Sequence, residues 1–326
     1  MKKRIVLLTL PVFLLTGCSL LTNILDKIKG QNTNENQEES EDQKEFAQTV
    51  TISEEEKGTP ISSQQAQETM NGINANMQAK MDEIQTEEGM KQQIENTDKF
   101  SYVFRNKVDD KIYIDNAVNY SRSDKYFHSK IITRTLMDDD QNDVHGLFCS
   151  DGDLFEYELG EQYVHAMKSH DWGYDTKNNE NHDTSYAYYH YVTNYSFEQD
   201  VFTQLSELML SVGNQGKNYM QTIDPYTNES MSNAYGSISF YSKGEGHLYG
   251  KISMPQSGIT LEFLYENYWL KYEYMYTDLR QLQSFVGASF GLDSYTQMTT
   301  ELYMDFQSAK VEYPNLDNYE YKDTNY

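Results

Sequence analysis

Between residues 66 and 84 the apolar positions are Ala66, Met70, Ile73, Met77, Met81 and Ile84, spaced by four, three, four, four and three. That spacing predicts an amphipathic helix with one narrow buried stripe, and Met90 and Ile94 extend it past Gly89. From Phe100 the period changes to two. Ile112 to Ile114 and Tyr126 to Leu136 read as strands, as do Val144 to Ser150, Asp153 to Leu159 and Gln162 to Met167. The pairs Asp151-Gly152 and Gly160-Glu161 read as tight turns, because Asp-Gly suits the left-handed geometry of a two-residue hairpin. A second helix is predicted from a Ser196 cap through Phe197, Val201, Leu205, Leu208 and Val212, ending at Gly213. A second strand run follows: Ser237 to Ser242, His247 to Met254, and the alternation Ile259, Leu261, Phe263, Tyr265. After a turn at Glu266-Asn267 it continues with Tyr268, Leu270, Tyr272, Tyr274 and Tyr276. Glu301 to Phe306 and Lys310 to Tyr313 are weaker strand candidates.

The expected fold class is therefore α+β: a strongly curved antiparallel sheet, a half-barrel of hairpins, with helices packed across one face. In element order, residues 63 to 320 resemble the periplasmic lipoprotein-carrier family and its Gram-positive and mycobacterial lipoprotein relatives. Features such as Leu147-Phe148-Cys149-Ser150-Asp151-Gly152-Asp153-Leu154-Phe155-Glu156-Tyr157 and Ile259-Thr260-Leu261-Glu262-Phe263 carry the resemblance. It implies a cavity for acyl chains under the helices and no catalytic residues. The polar stretch from Asp171 to Ser185 is longer than that pattern expects.

The N-terminus adds an address. Lys2, Lys3 and Arg4 precede an apolar run from Ile5 to Leu15, too short to span a bilayer comfortably, and then Leu15-Thr16-Gly17-Cys18. This resembles the lipobox of bacterial lipoproteins, cut before the cysteine by signal peptidase II. The resemblance implies a diacylglycerol thioether on Cys18, often with a further palmitoyl-type acyl chain on its amine. Residues 1–17 then form a signal peptide. Residues 18–62 form the lipidated N-terminus and a tether, and residues 63–326 a single helix-braced antiparallel β domain. The protein is expected on the extracytoplasmic face of a bacterial cell membrane, held by lipid chains worth about 0.8 kcal/mol per buried CH₂. From Gly30 to Ser62 the chain is rich in Asn, Gln, Glu and Ser, a composition that buries too little apolar surface to order itself.

Charge narrows the partners. The 326 residues hold 51 Asp+Glu against 26 Lys+Arg, a formal charge of −25, and loss of Lys2, Lys3 and Arg4 takes it to −28. So acidic a chain lacks the basic footprint of a nucleic-acid binder. With only Cys18 and Cys149, a disulfide framework is excluded.

No motif reaches reactive geometry. His165, His170-Asp171, His182-Asp183 and His190 border the polar stretch, but their spacing matches no compact metal motif. Asp138 to Asp143 fails the EF-hand pattern, with Asp143 at the position needing Gly and Cys149 at the position needing Glu. Cys149 reads as a buried thiol, since His145 on the same strand would stand about 13 Å away. Gly213 to Asn218 lacks the length and the Ser/Thr of a P-loop. No catalytic residue, metal or cofactor is expected. The compositional oddity is 28 tyrosines, crowded at Tyr186, Tyr188, Tyr189, Tyr191 and Tyr195 and again from Tyr265 to Tyr276. Tyrosine suits pleated surfaces with one wet edge, and also recognition surfaces. Two functions follow. One is a non-catalytic binding module for a lipid or other apolar ligand, with Met70, Met77 and Met81 of the flexible methionine stripe lining its site. The other is a surface interaction or adhesion protein whose tyrosine-rich faces meet a protein or glycan.

Overall fold

The structure, a computed structural model, describes residues 50–109, 111–139, 144–175, 180–193, 197–223, 236–286 and 295–323. The elements begin with α1 (Glu54–Lys57), β1 (Thr59–Ile61), α2 (Ser63–Ile84) and α3 (Glu87–Asn96). Strands β2 (Lys99–Val108), β3 (Lys111–Ser121), β4 (Tyr126–Asp139), β5 (Val144–Leu159), β6 (Gln162–Asp175) and β7 (Glu180–Val192) follow. After α4 (Phe197–Ile223) come β8 (Ser237–Gly244), β9 (His247–Met254), β10 (Ile259–Glu266) and β11 (Trp269–Asp278). The chain closes with α5 (Leu279–Val286), β12 (Gln297–Asp305), a 3₁₀ turn (Leu316–Asn318) and β13 (Glu320–Tyr321). The fold is α+β, with one open, largely antiparallel sheet in the order β1-β8-β9-β10-β11-β12-β2-β3-β4-β5-β6-β7-β13. The chain divides into two compact units. Among the described residues, unit 1 comprises those up to 78, within 108–110 and within 213–301; unit 2 comprises those within 79–107, 111–212 and from 302 on.

The helix α2 forms where the periodicity placed it. Ser62 caps it reciprocally with Gln65, and Ala66, Met70, Ile73, Met77, Met81 and Ile84 are all buried. Met90 and Ile94 are also buried, but on a separate helix, α3, which Thr86 caps through the Gly89 amide. The helix α4 passes through Gly213, the expected stop, and continues to Ile223. Its buried stripe is Phe197, Val201, Leu205 and Met209, and Leu208 is only partly covered. Ser196 lies outside the described residues, as does the side chain of Val212.

In unit 1 residues 50–62 of the expected tether are ordered. Ser53 and Glu56 form a capping box for α1, Ile52 is buried, and the Val50 amide donates to Glu301 Oε1 at 2.9 Å. The strand β1 pairs with β8, Thr59 opposite Ser242 and Ile61 opposite Phe240. Composition hid this because the anchoring rests on single residues, Ile52 and Ile61, within a polar stretch.

The alternating residues Ile259, Leu261, Phe263 and Tyr265 of β10 are all buried. Opposite them on β9 stand Met254, Ile252, Gly250 and Leu248. Gly250 has no room for a side chain, since a Cβ there would lie 2.2 Å from the Phe263 ring. A bulge between Leu264 and Tyr265 changes the register with β11. Tyr265 faces Leu270, but past the bulge Phe263 faces Glu273, and Tyr272 and Tyr274 pair with Leu264 and Glu262 on the other side of the sheet. Residues 50–57 accompany that other side: the Lys57 ammonium lies 5.3 Å over the Tyr249 ring, whose hydroxyl donates to Glu262.

Unit 2 corrects the hairpin at Asp151-Gly152. The strand β5 runs unbroken through both residues, with Asp151 opposite Ile132 and Gly152 opposite Ile131, and neither adopts the positive φ of a two-residue turn. The turn lies at Gly160 (φ 67°), between β5 and β6. Within the polar stretch, residues 171–175 continue β6 and residues 180–185 belong to β7, with Asp171 opposite Thr184 and Asp175 opposite Glu180. Residues 310–313 form no strand. They lie over Tyr126, Phe155, Tyr157 and Val164, and the Tyr126 hydroxyl donates to the Glu312 carbonyl at 2.8 Å.

Candidate functional site: the aromatic face of β5 to β7

Alternation on β7 sends its tyrosines to opposite sides. Tyr189 and Tyr191 lie on the side covered by the C-terminal segment, packed with Val311, Leu316 and Tyr319, and Tyr321 is 5.4 Å from the Tyr189 ring. Burial of the same cluster pushes the Tyr157 hydroxyl up to about 12.

Tyr186, Tyr188 and His190 lie on the opposite side. Register fixes their neighbours, because directly paired residues share a face. One row runs Ile131, Gly152, Ser169, Tyr186; the next Ser129, Leu154, Met167, Tyr188; the third Phe127, Glu156, His165, His190. The Tyr186 and Tyr188 rings stack at 5.8 Å, and both hydroxyls point to Met167 Sδ, at 3.8 and 3.6 Å. The column continues with Tyr188 over His190 at 6.3 Å, and His165 lies 4.8 Å from His190. Tyr186 is 41% exposed and Ile131 46%, while Phe127 and Glu156 at the other end are buried. The face therefore grades from a packed edge into an open aromatic and aliphatic surface. Gly152, whose Cβ position has only the Ile131 carbonyl within 4 Å, leaves a shallow place in its middle.

The electrostatics are mild. His165 Nδ1 stands 3.4 Å from Glu156 Oε1, and burial, reinforced by His165, pushes the His190 imidazole toward its neutral form. On the other side of the hairpin His170 stacks on Trp172 and bonds Asp183 Oδ1 at 3.0 Å. Among the described residues no three His, Cys, Asp or Glu side chains are grouped to hold a metal ion. Cys149 is buried, with Arg134 and Trp172 as its register partners rather than a histidine.

The other sequence candidates fall elsewhere. Cys18 and Asp140 to Asp143 lie outside the described residues. Met70, Met77 and Met81 are no more than 1% exposed. A Cβ at Gly216 of α4 would be 3.4 Å from Met77 Sδ and 3.3 Å from the Leu270 Cβ, and the Tyr265 hydroxyl donates to the Gly216 carbonyl at 2.9 Å. Residues 213–218, considered as a phosphate loop, are part of α4. Sequence reading missed Ile131, Leu154 and Met167 as companions of the tyrosines. Placing a turn at Asp151-Gly152 breaks the register that aligns them, and the unbroken apolar-small alternation Gly152, Leu154 was the available signal.

Among the described residues no helix is long and apolar enough to cross a membrane. The chain matches no protein-family model, no curated protein and no solved structure.

Proposed function

We propose that the protein is a lipid-anchored, extracytoplasmic, non-catalytic binding protein that holds a macromolecular partner on the Tyr186–Tyr188–His190 face. The observation that carries this reading is the open aromatic column itself. Its two tyrosines are ordered by stacking and by Met167; Tyr186 is exposed, and Tyr188, half-buried, carries the Lys322 ammonium 4.2 Å from its ring centre. Rigid tyrosines with partly exposed rings lose little conformational freedom on contact, and they concentrate binding energy at interfaces. The anchor is inferred from Leu15-Thr16-Gly17-Cys18. Cys18→Ala should leave a precursor that takes up no labelled fatty acid.

Strong curvature of the sheet and bracing of one face by helices belong to the same proposal. The contacts of Gly216 with Leu270, Tyr265 and Met77 support the bracing. They also weigh on the alternative, an apolar ligand under Met70, Met77 and Met81. Residues this closely packed admit a ligand only if α2 lifts. Co-purified lipid in native mass spectrometry would move the reading to that carrier function.

The test of the interaction reading is a photoreactive residue at Tyr186 in cells, with one at exposed Asn76 as control. A discrete cross-linked product is expected at Tyr186 alone; equal patterns at both positions would reject the face.

A further inference from the structure

Unit 1 carries a groove of about 650 Å³ between the outward side of α2 and the β8–β9 turn. Gln65 and Glu68 form one wall and Lys243 and Glu245 the other, with Tyr268 at the rim. Tyr268 breaks a local rule to be there. The β10–β11 connection is the two-residue turn Asn267-Tyr268, with φ of 51° and 68°. Such turns favour Asn and then Gly, because a side chain at the second left-handed position is strained. Here that position holds a tyrosine. Its amide donates to the Gly246 carbonyl at 3.1 Å, and its hydroxyl donates to Glu245 Oε1 at 2.7 Å. Its ring lies over Gly246, where a Cβ would come 3.2 Å from three ring carbons. Strain retained at one residue and fixed by three contacts marks a placed side chain.

Two glycines on the walls point the same way. Gly72, inside α2, and Gly244 have nothing within 4 Å of where a Cβ would stand. Packing does not require Gly72, and a helix interior disfavours it, so its effect is to keep the wall low beside the groove. The polar groups are only partly used. Gln65 Oε1 accepts from Ser62 and Glu68 Oε1 from Gln64. The Gln65 amide nitrogen and the second carboxylate oxygens of Glu68 and Glu245 have no hydrogen-bond partner among the described residues.

We propose that this groove binds a neutral oligosaccharide. A pyranose presents an apolar C–H face, which suits the fixed Tyr268 ring, and a rim of vicinal hydroxyls, which suits planar carboxylates and amides on both walls. Two carboxylates against one lysine disfavour an anionic sugar. The site needs neither the lipid anchor nor the β7 tyrosine face, so it stands or falls separately from the interaction reading.

The test is saturation-transfer NMR and calorimetry of the full chain with N-acetylchitotetraose, cellotetraose and maltotetraose as probes. At least one is expected to bind, with Kd of roughly 0.1–1 mM, as suits a shallow groove. Tyr268→Gly restores the residue the turn prefers. It should weaken binding roughly tenfold or more while leaving the melting temperature unchanged or higher. Tyr268→Phe, which keeps the ring, should bind within about threefold of the parent. Three results would overturn the proposal: no transfer from any of the three probes, unchanged binding by Tyr268→Gly, or a fall of more than about 4 °C in its melting temperature. The last would show that Tyr268 is only a staple between two turns.

Discussion

The tyrosines of β10 and β11 and those of β7 meet different fates. Tyr265 is wholly buried and bonds the α4 backbone, and Tyr272 is covered on the opposite side of the sheet. On β7, Tyr189 and Tyr191 are packed under the C-terminal segment, while on the other side Tyr186 lies open and Tyr188 is half-buried beneath only the Lys322 side chain. Residue type alone does not distinguish them. The difference lies in what crosses each face. Chain segments outside the sheet, residues 50–57 in unit 1 and 310–319 in unit 2, cover particular sides, and the more open side is the candidate recognition surface.

The largest effect is expected in the buried region. Phe263→Ala removes a ring with no exposed surface from over Gly250, and should cost about 3–5 kcal/mol in denaturant unfolding. Tyr186→Ala, in contrast, should stay within about 0.5 kcal/mol of the parent. A comparable loss at Tyr186 would mean that the open face is structural.

Next is the carboxyl that the β11 bulge at Lys271 turns inward. Burial alone raises Glu273 from 4.5 to about 8. The unfolded chain releases this proton near pH 4.5 and the folded chain only near 8, so the stability that the neutral carboxyl contributes falls as pH rises through that window and is gone above it. Glu273→Gln should therefore leave the melting temperature nearly unchanged at pH 4 and raise it progressively up to pH 8. A difference that did not depend on pH would contradict an uncompensated buried acid.

A third experiment addresses the covering segment of unit 1. A chain beginning at Ser63 loses Ile52, the β1–β8 pairing and the bond between His247 Nε2 and the Glu56 carbonyl. Burial of Ile52 alone is worth about 2 kcal/mol, which corresponds to a fall of roughly 4–8 °C. An unchanged melting temperature would show that residues 50–62 are a spacer after all.

Much of this was legible. The α2 stripe and the alternation from Ile259 to Tyr265 declare themselves because each buries one continuous set of evenly spaced positions. What failed needed non-local information. Asp151-Gly152 has the composition of a turn, but two partner strands hold it extended. Gly213 looks like a helix stop, yet α4 continues beyond it to the contacts made by Gly216. Glu273 looks outward-facing among alternating tyrosines until the bulge reverses the faces. The open column was visible as a crowd of tyrosines, but its companions Met167, Leu154 and Ile131 follow only from register.

The smallest expected effect on stability should accompany the largest on function, and this tests the account most directly. A photoreactive residue at Ile131, on the same face as Tyr186, can report partner capture in the parent and in the Tyr186→Ala/Tyr188→Ala double variant, with melting temperature measured on both. The account predicts melting within about 3 °C of the parent and capture reduced roughly tenfold or more. Undiminished capture, or melting lowered as far as in Phe263→Ala, would contradict it.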